Sequence, residues 1–443
     1  MKIKRKEKIG IIGLGRIGLP LLAVFAKKKN YVVGLDINRE RIKNLKKTFQ
    51  ADFYEPQLDK ILERCKNRIE FTSDYSYLMK ECDSVIVIVG TPLLNNNSPN
   101  FDDLEKVVDL IGIYLRPDQT IILKSTVFPG VTRGVAKKLE KKSGLRAGND
   151  FYVAFCPERV IEGKVVEELS ALPKIIGGIN QKSLNKAAAI IKKLGGKIVR
   201  ASSPEVAEIC KLVDNTYRVA NISFANEVGL ICEKIGIDSY EVVSTVNKFY
   251  DRTDLFLPAL GAGGPCLSKD PQVLSYFAKN NNINSEVIDA CIKGNKESTI
   301  RVAEIALNFL KKKIIKKPTV SLIGLAFKGR PETDDIRSSP AVDIFDFLRK
   351  KTKNINFQYY DPLVRSFSGK KTAKNLKEAI KNSNVAIFLT NHPKLMNIDA
   401  NFVIKNAARP LLIIDCWHNL INFTGIQDKK IEIYRIGDKR HGK

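Results

Sequence analysis

The stretch Gly10-Ile11-Ile12-Gly13-Leu14-Gly15-Arg16-Ile17-Gly18-Leu19-Pro20 decides the fold of this 443-residue chain. The apolar residues of 8–14 predict a buried strand, and residues 18–29 predict the helix that follows it. Between them the glycines have the spacing G-x-G-x-x-G. In such a turn the first glycine makes the bend, the second admits a pyrophosphate, and the third packs helix on strand. We therefore assign a phosphate loop to Gly13, Gly15, Arg16, Ile17 and Gly18.

An acidic residue about twenty positions farther on completes the pattern. The predicted strand 31–35 ends at Asp36, where a carboxylate binds the ribose hydroxyls of a dinucleotide and disfavours a 2′-phosphate. The predicted cofactor is therefore NAD. The apolar run 9–26 also resembles a signal peptide or a short membrane span. Its four glycines and Arg16 favour the strand and phosphate loop, so we expect no membrane segment.

Three more buried strands are predicted in the first half, at 84–89, 120–123 and 151–155. Small or polar residues follow each of them, among them Thr91, Thr126, Glu158 and Glu162. Because the carboxyl ends of parallel strands border the ligand crevice of a doubly wound sheet, these four residues are candidates for cofactor or substrate contacts. A solvated surface position is the alternative for each glutamate.

One long helix is predicted over 204–235, since Ser202-Ser203-Pro204-Glu205 is a strong helix start and Gly236 a stop. A helix of about 48 Å is typical of a segment that joins domains or forms a dimer interface. Lys211 and Asn215 are four residues apart and share one face. An ammonium beside an amide can stabilise an oxyanion, while a lysine that snorkels to solvent is the alternative.

A single thiol stands out in Gly261-Ala262-Gly263-Gly264-Pro265-Cys266-Leu267-Ser268-Lys269-Asp270-Pro271. The glycines let a ligand approach the backbone closely. A thiol before a helix N-terminus and beside a lysine ionises more easily, and the thiolate is the nucleophile. Asp270 lies four residues beyond Cys266. A buried, inert cysteine after a Gly-Pro turn is the alternative.

The last third repeats the first. Strands are predicted at 319–325, 356–360, 385–389 and 411–414, and the second of them ends at Asp361 as the early strand ends at Asp36. The glycine pattern is incomplete, so this part is expected to bind the nucleotide portion of a substrate. The fold class is therefore α/β, with two Rossmann-like doubly wound domains (1–200 and 313–443) joined by a central all-α region (201–312) that contains the long helix.

Composition restricts the remaining function classes. The net charge is +26, but the lysines are spread along the chain and their clusters lack interleaved aromatic residues, which disfavours nucleic-acid binding. An anionic small substrate fits the charge as well. Eight scattered cysteines without a CxxC pair, and three histidines, indicate neither a disulfide framework nor a metal site. A reducing cytoplasm is the expected location.

Taken together, the motifs resemble the UDP-glucose/GDP-mannose dehydrogenase family over essentially the whole chain. The segments that carry the resemblance are GIIGLGRIGLP (10–20), KSTVFPG (124–130), CPERVIEGK (156–164), KLVDNTYRVANISFANE (211–227), GAGGPCLSKDP (261–271) and FKGRPETDDIRSSPA (327–341). The amino-acid sequences of several of these segments look closest to the branch that acts on UDP-N-acetylmannosamine. The family oxidises the sugar C6 alcohol to the acid with two NAD in succession.

The resemblance implies a role for each matching residue. Cys266 would capture the aldehyde as a thiohemiacetal that is oxidised to a thioester, Lys211 and Asn215 would bind substrate and stabilise the oxyanion, and Glu162 would be the general base. Thr126 and Asp270 would order a catalytic water. The other implied cofactor contacts are Thr91, Thr126, Lys269 and Arg337, and the other implied substrate contacts are Glu158, Arg252, Gly263 and Lys328. A homodimer through the central helix is also implied, with Arg252 reaching the partner's site.

Two other enzyme classes stay open. The sugar can instead be that of UDP-glucose or UDP-N-acetylglucosamine. More remotely, a two-electron hydroxyacid dehydrogenase of the 6-phosphogluconate type also places a helical region after a Rossmann domain, but needs neither the thiol nor a second nucleotide fold. A basic binding protein with a decayed dehydrogenase fold is disfavoured, because every motif position holds a chemically competent residue.

Overall fold

A computed structural model describes residues 7–424 and 426–438. The chain divides into two compact units. The first extends to Asp214 and includes Gln272–Ile283, and the second comprises Asn215–Pro271 and continues from Asn284. The outermost residues of the predicted domains, 1–6 and 439–443, lie outside the described residues. The three-domain division stays a prediction.

The first unit is built on an eight-stranded sheet in the order β3-β2-β1-β4-β5-β6-β7-β8. Neighbouring strands are parallel except β6 and β7. The first six strands have the order of a dinucleotide-binding Rossmann sheet. The strands are β1 (Lys8–Ile12), β2 (Tyr31–Leu35), β3 (Ile69–Thr72), β4 (Ser84–Val87), β5 (Thr120–Leu123), β6 (Tyr152–Phe155), β7 (Lys174–Gly178) and β8 (Ile198–Arg200).

Helices cover both faces of this sheet. Side chains alternate between the faces of a strand, and accordingly Ile11 and Ile122 belong to one buried apolar cluster while Ile12 and Ile121 belong to another. The helices are α1 (Gly18–Lys27), α2 (Arg39–Thr48), α3 (Leu58–Arg64), α4 (Tyr75–Glu81), α5 (Asp102–Tyr114), α6 (Val131–Ser143), α7 (Val165–Ala171) and α8 (Gln181–Lys192), with a 3₁₀ turn at Lys66–Arg68.

A helical region follows the first sheet in the chain. Its longest member, α9, has the predicted bounds, and it ends where Gly236 adopts a φ of +82°, a conformation that glycine adopts without strain. The four helices are α9 (Pro204–Ile235), α10 (Ser239–Asn247), α11 (Asp270–Asn280) and α12 (Glu286–Lys312). None of the helices in the described residues is both long and apolar enough to cross a bilayer.

The second unit contains a parallel five-stranded sheet with two small two-stranded sheets beside it. The main strands are β9 (Thr319–Ile323), β10 (Asn356–Tyr360), β13 (Val385–Phe388), β15 (Leu411–Asp415) and β17 (Ile431–Arg435), in the order β10-β9-β13-β15-β17. The small pairs are β11 (Ser366–Phe367) with β12 (Lys370–Lys371) and β14 (Ile398–Asp399) with β16 (Leu420–Ile421). The helices are α13 (Pro340–Lys351), α14 (Leu376–Ile380) and α15 (Ala400–Asn406), with a 3₁₀ turn at Pro393–Leu395.

The predicted α/β class, with two doubly wound parallel sheets and a central helical region, is confirmed. The structure adds strands that the sequence analysis did not predict, among them β3, β7, β8 and β17, and the predicted strands differ at their ends. The strand predicted over 8–14 stops at Ile12 because Gly13 turns the chain with a φ of +97°, and the strand predicted over 319–325 stops at Ile323 because Gly324 does the same with a φ of +84°.

Candidate functional site

The three positions of the phosphate loop hold glycine for different physical reasons. A Cβ on Gly13 would lie 2.6 Å from the Ile88 carbonyl oxygen, and one on Gly18 would lie 1.8 Å from the Gly13 carbonyl oxygen. The chain's own backbone therefore excludes a side chain at both positions. A Cβ on Gly15 would meet nothing within 4 Å, so packing does not explain that glycine. Open space beside the second glycine fits a pyrophosphate approaching the backbone, and NAD fits this loop.

Asp36 closes the same loop from the end of β2. One carboxylate oxygen accepts the Leu14 N–H at 2.9 Å, and the other accepts the Asn38 N–H at 2.9 Å. The Arg41 guanidinium lies 3.6 Å from the first oxygen. With one backbone N–H bonded to each oxygen, the carboxylate retains acceptor positions that the ribose hydroxyls of NAD can use.

Asp361, at the matching place in the second sheet, is engaged differently. One of its oxygens accepts the N–H groups of Leu325 and Ala326 at 2.7 and 3.2 Å, and the other accepts those of Leu363 and Val364 at 2.8 and 3.0 Å. The residue is 3% exposed. Four backbone donors use the acceptor capacity of a carboxylate, so the second acid holds its own turn together.

Two threonines meet at the carboxyl ends of β4 and β5. The Thr91 hydroxyl donates to the Thr126 carbonyl oxygen at 2.8 Å, and the Ser125 hydroxyl donates to the Val89 carbonyl oxygen at 2.8 Å. Thr91 is buried and Thr126 is half-buried. The loops after the two strands are therefore fastened to each other, in the region where the sequence predicts cofactor contacts.

Glu158 is held as an anion after β6. Its Oε1 accepts the N–H groups of Arg159 and Val160 at 2.9 and 3.3 Å, and its Oε2 lies 3.1 Å from the Lys124 ammonium. Burial by itself raises the pKa of the Glu158 carboxyl, but the charge of Lys124 and these hydrogen bonds outweigh it and the pKa lies below its ordinary value.

Glu162 lies in the same loop with different surroundings. Its carboxylate is 3.8 Å from the Arg16 guanidinium, and its side chain is 12% exposed. Arg16 also lies over the Phe53 ring, 5.2 Å from the centroid. The loop backbone on either side is fixed, since Ile161 donates its N–H to Glu168 and Gly163 donates its N–H to Glu55, both at 2.8 Å. A residue of the predicted phosphate loop thus lies beside the predicted general base.

Lys211 is 7% exposed, so it does not snorkel to solvent. Glu208, three residues earlier and on the same face of α9, is fully buried. Its carboxylate accepts the N–H groups of Gly130 and Thr132 at 2.7 and 2.8 Å and the Thr132 hydroxyl at 2.6 Å. Burial raises the pKa of Glu208 although these bonds oppose the rise. Glu208 therefore fastens the helix of Lys211 to the loop that contains Thr126.

The glycine-rich turn before Cys266 is packed tightly in the second unit. Ala262 and the Asn295 amide exchange two hydrogen bonds, at 2.6 and 3.0 Å, and Gly264 donates its N–H to Ser338 at 2.9 Å. A Cβ on Gly263 would lie 2.8 Å from the Ser338 carbonyl oxygen. Packing accounts for the missing side chain at Gly263, and its contact with substrate stays a prediction.

The thiol lies in the turn that leads into α11. Cys266 is exposed, so the alternative of a buried inert cysteine is wrong. Its carbonyl oxygen accepts the Asp270 N–H at 2.8 Å, and the Asp270 carboxylate accepts the Asn215 amide at 2.6 Å. Asp270 is fully buried and Asn215 is 4% exposed. The Lys269 ammonium is 3.8 Å from Asp270. Four residues predicted from distant motifs are thus brought together.

Three predicted residues lie elsewhere in the second unit. Lys328 donates to the Pro331 carbonyl oxygen at 2.8 Å, and the Arg337 guanidinium forms a two-pronged ion pair with the buried Asp335 carboxylate, at 2.6 and 2.9 Å. Arg252 is exposed, with its guanidinium 6.0 Å from the Tyr250 ring centroid. Their predicted roles as ligand contacts stay predictions.

Sequence reasoning overlooked Lys124 and Glu208. Each stands inside or beside a quoted motif, and each carries a charge among apolar neighbours, which is the signal that could have identified it. Among the described residues, no group of three or more His, Cys, Asp or Glu side chains is arranged to hold a metal ion.

Substitution of single glycines separates cofactor binding from folding. Gly15→Ala adds a methyl group to open space, so the unfolding midpoint is expected to stay unchanged while the Kd for NAD rises at least roughly tenfold. Gly18→Ala, the matched control, places the methyl group against backbone and should cost about 1–3 kcal/mol of stability. Thermal unfolding and calorimetric NAD titration measure both; unchanged NAD affinity in Gly15→Ala would contradict the assignment.

Comparison with known proteins agrees with this geometry. Three family models match consecutive parts of the chain, each described as a domain of the UDP-glucose/GDP-mannose dehydrogenase family. They are the NAD binding domain (7–195), the central domain (205–297) and the UDP binding domain (321–422). The matches cover most of the chain and include most strands of both sheets and most of the central helices.

Individual relatives match at similar length. The UDP-N-acetyl-D-mannosamine dehydrogenase of Pyrococcus horikoshii is 32% identical over 92% of this chain and 94% of its own. A solved structure of the UDP-D-ManNAc dehydrogenase from that organism has a TM-score of 0.86, with 30% identity over 98% of this chain and 100% of its own. The NDP-N-acetyl-D-galactosaminuronic acid dehydrogenase of Methanosarcina mazei Go1 has a TM-score of 0.81, with 27% identity over 99% and 97%. With its phosphate loop and second nucleotide fold, the chain belongs to the UDP-glucose/GDP-mannose dehydrogenase family and is an NAD-dependent oxidoreductase that acts on a nucleotide sugar.

Proposed function

We propose that this enzyme oxidises the C6 alcohol of UDP-N-acetyl-D-mannosamine to the carboxylic acid, in a four-electron reaction that passes through Cys266. The observation that carries the proposal is the exposed thiol on a turn fastened to the buried Asn215–Asp270 pair. The sugar is proposed because relatives at 32% identity are UDP-N-acetyl-D-mannosamine dehydrogenases. UDP-glucose and UDP-N-acetylglucosamine are the alternative substrates.

The electron count explains why a thiol is needed. Alcohol to acid removes four electrons, and each bound NAD accepts two as a hydride. In the proposed sequence the first oxidation gives the aldehyde, and the Cys266 sulfur adds to it to form a thiohemiacetal. The second oxidation gives a thioester, and water releases the acid and restores the thiol. The half-oxidised sugar stays bound while the cofactor exchanges.

The family resemblance supplies the roles proposed for the other site residues. Lys211 and Asn215 supply an ammonium and an amide to the developing oxyanion. Asp270, fully buried and bonded to Asn215, is proposed to order the hydrolytic water together with Thr126. Glu162 is proposed as the base, since the other loop glutamate, Glu158, is already engaged by an ammonium and two N–H groups.

The remaining assignments complete the proposal. Residues 1–200 form the NAD-binding domain, 201–312 the central domain with the reactive cysteine, and 313–443 the domain for the UDP-sugar. Cofactor contacts are proposed for Thr91, Thr126, Lys269 and Arg337 besides the phosphate loop and Asp36. Substrate contacts are proposed for Glu158, Arg252, Gly263 and Lys328 besides Lys211 and Asn215.

A homodimer through α9 is proposed from an exposed apolar stripe. Tyr217, Phe224, Ile231 and Ile235 are 61%, 60%, 56% and 64% exposed, and their spacing of seven, seven and four residues places them on one face of the helix. Four exposed apolar side chains on one helix face are typical of a surface that another chain covers. A second copy presents the same stripe and can pair with it symmetrically.

Replacing the thiol tests the covalent route. Wild-type enzyme is expected to form two NADH for each sugar consumed, and Cys266→Ser should stall at the aldehyde stage or lose turnover. Cys291→Ser, at another incompletely buried cysteine, is the control and should retain full turnover. Absorbance of NADH and mass spectrometry of the product measure the outcome. One NADH per sugar with a fully active Cys266→Ser would favour a two-electron hydroxyacid dehydrogenase.

A substrate panel tests the sugar. UDP-N-acetylmannosamine, UDP-glucose, UDP-N-acetylglucosamine and GDP-mannose are each incubated with enzyme and NAD, and NADH absorbance is followed. UDP-N-acetylmannosamine is expected to give the highest kcat/KM. Faster oxidation of another member would overturn the proposed sugar and leave the covalent chemistry to be judged by the cysteine variants.

Charge in the apolar stripe tests the dimer. Phe224→Glu with Ile231→Glu should halve the mass measured by light scattering, since burying two unpaired carboxylates opposes association. Ile113→Glu is the control, because Ile113 is equally exposed at 59% but lies on α5. A wild-type monomer, or a double variant that stays dimeric, would refute the proposed interface.

A further inference from the structure

Lys124 is a charged residue at a buried position where an apolar side chain would be expected. It directly follows the apolar residues Ile121–Leu123 of β5, and its side chain is 0% exposed. Removing an ammonium from water is costly unless acceptors surround it. Its Nζ lies 3.1 Å from the Glu158 carboxylate, 3.1 Å from the Cys156 carbonyl oxygen and 3.6 Å from the Cys156 sulfur. The carboxylate is the partner that accounts for a positive charge here.

Glu158 is fixed from the other side as well. The N–H groups of Arg159 and Val160 hold its Oε1 at 2.9 and 3.3 Å, while Lys124 holds its Oε2. The Glu158 side chain is 10% exposed. Hydrogen bonds to Oε1 and the Lys124 charge beside Oε2 restrain the orientation of the carboxylate. The pair places an ionised acceptor beside the carboxyl edge of the first sheet, where ligands of such sheets bind.

The other titratable and charged groups near Glu158 do not replace Lys124. Lys174, the first residue of β7, donates to the Leu172 carbonyl oxygen at 2.6 Å. The Arg159 guanidinium donates to the Pro173 carbonyl oxygen at 3.0 Å. Burial raises the pKa of the Cys156 thiol, so it stays neutral. Glu55 and Glu168 accept backbone N–H groups of the loop after β6, and Glu162 of that loop lies beside Arg16, so these carboxylates bind other groups.

We infer that Lys124 is a positioning residue for the oxidation of the nucleotide sugar: its ammonium keeps Glu158 ionised and in one orientation, so that the carboxylate accepts a hydrogen bond from a sugar hydroxyl. The inference rests on the proposed function and deepens it. It makes Glu158 a fixed acceptor for the sugar and leaves the abstraction of protons to other groups. Lys124 acts through Glu158 and touches no substrate itself.

Three variants test the inference: Lys124→Met, Glu158→Gln and the double variant. The ligands are NAD, UDP and whichever UDP-sugar of the panel the wild type oxidises fastest. UDP lacks the sugar, so its affinity should not change in any variant, and NAD affinity reports that the first unit is folded. Affinity for the UDP-sugar and kcat/KM are measured from pH 5.5 to 8.5.

Removing the ammonium should raise the pH below which Glu158 is protonated. In Lys124→Met we expect the acid limb of kcat/KM to move up by roughly one to three pH units. The decrease in kcat/KM should be largest at pH 5.5 and should come from a higher KM for the UDP-sugar. Glu158→Gln should have low sugar affinity at every pH, since its amide is neutral throughout. The double variant should match Glu158→Gln, because Lys124 has no role once the carboxylate is gone.

Each other outcome overturns the inference. A folded Lys124→Met with the wild-type pH profile would show that the ammonium does not govern Glu158. A double variant that binds the UDP-sugar much more weakly than Glu158→Gln would give Lys124 an independent role. A double variant that fails to fold while Glu158→Gln folds would give Lys124 a purely structural role. If Lys124→Met does not fold, the comparison of Glu158→Gln with the double variant still decides. Failure of the proposed function has a different signature, since the wild type would then oxidise no nucleotide sugar.

Discussion

Buried carboxylates that accept hydrogen bonds from loop N–H groups hold the carboxyl edges of both sheets. Backbone donors in a loop near the core cannot be left without acceptors, because each unpaired group costs about as much as a lost hydrogen bond. Asp36, Asp361, Glu158 and Glu208 meet this requirement for four separate loops. Several predicted site residues lie in loops whose backbone these carboxylates hold.

The two nucleotide folds differ in how many backbone N–H groups the corresponding carboxylate accepts. Asp36 accepts one backbone N–H on each oxygen, whereas Asp361 accepts two on each. A carboxylate that retains acceptor capacity can bind ribose hydroxyls, and one that is saturated stabilises its own turn. The two sheets therefore share an architecture while their corresponding acids differ in hydrogen bonding, in agreement with the separate NAD binding and UDP binding models that match them.

Sequence patterns predicted what depends on local chemistry. The bounds of α9 were readable from Pro204 and Gly236, since caps act within one turn, and apolar runs located the central strands of both sheets. Long-range features were not readable. These include the antiparallel pairing of β7 with β6, the hydrogen bond between Glu208 and Gly130 and the contact of Lys124 with Glu158. Each joins residues far apart in the chain, which no local pattern encodes. The glycines before Cys266 were interpreted as room for a ligand, although contacts with Asn295 and Ser338 already require small residues there.

The proposed reaction in two oxidations requires both rigid surroundings and an accessible sulfur. Its covalent intermediate would have to hold its place while one cofactor leaves and another arrives, so the groups around it could not depend on the cofactor for their positions. Asn215 and Asp270 satisfy this condition, since each is buried and they bond to each other at 2.6 Å. Cys266 itself is exposed, which the proposed capture of the aldehyde requires, since a thiol sealed in the core could not receive it. The lowered pKa of Glu158 fits the same proposal, because an acceptor that stays ionised would hold the sugar equally well in both oxidation steps.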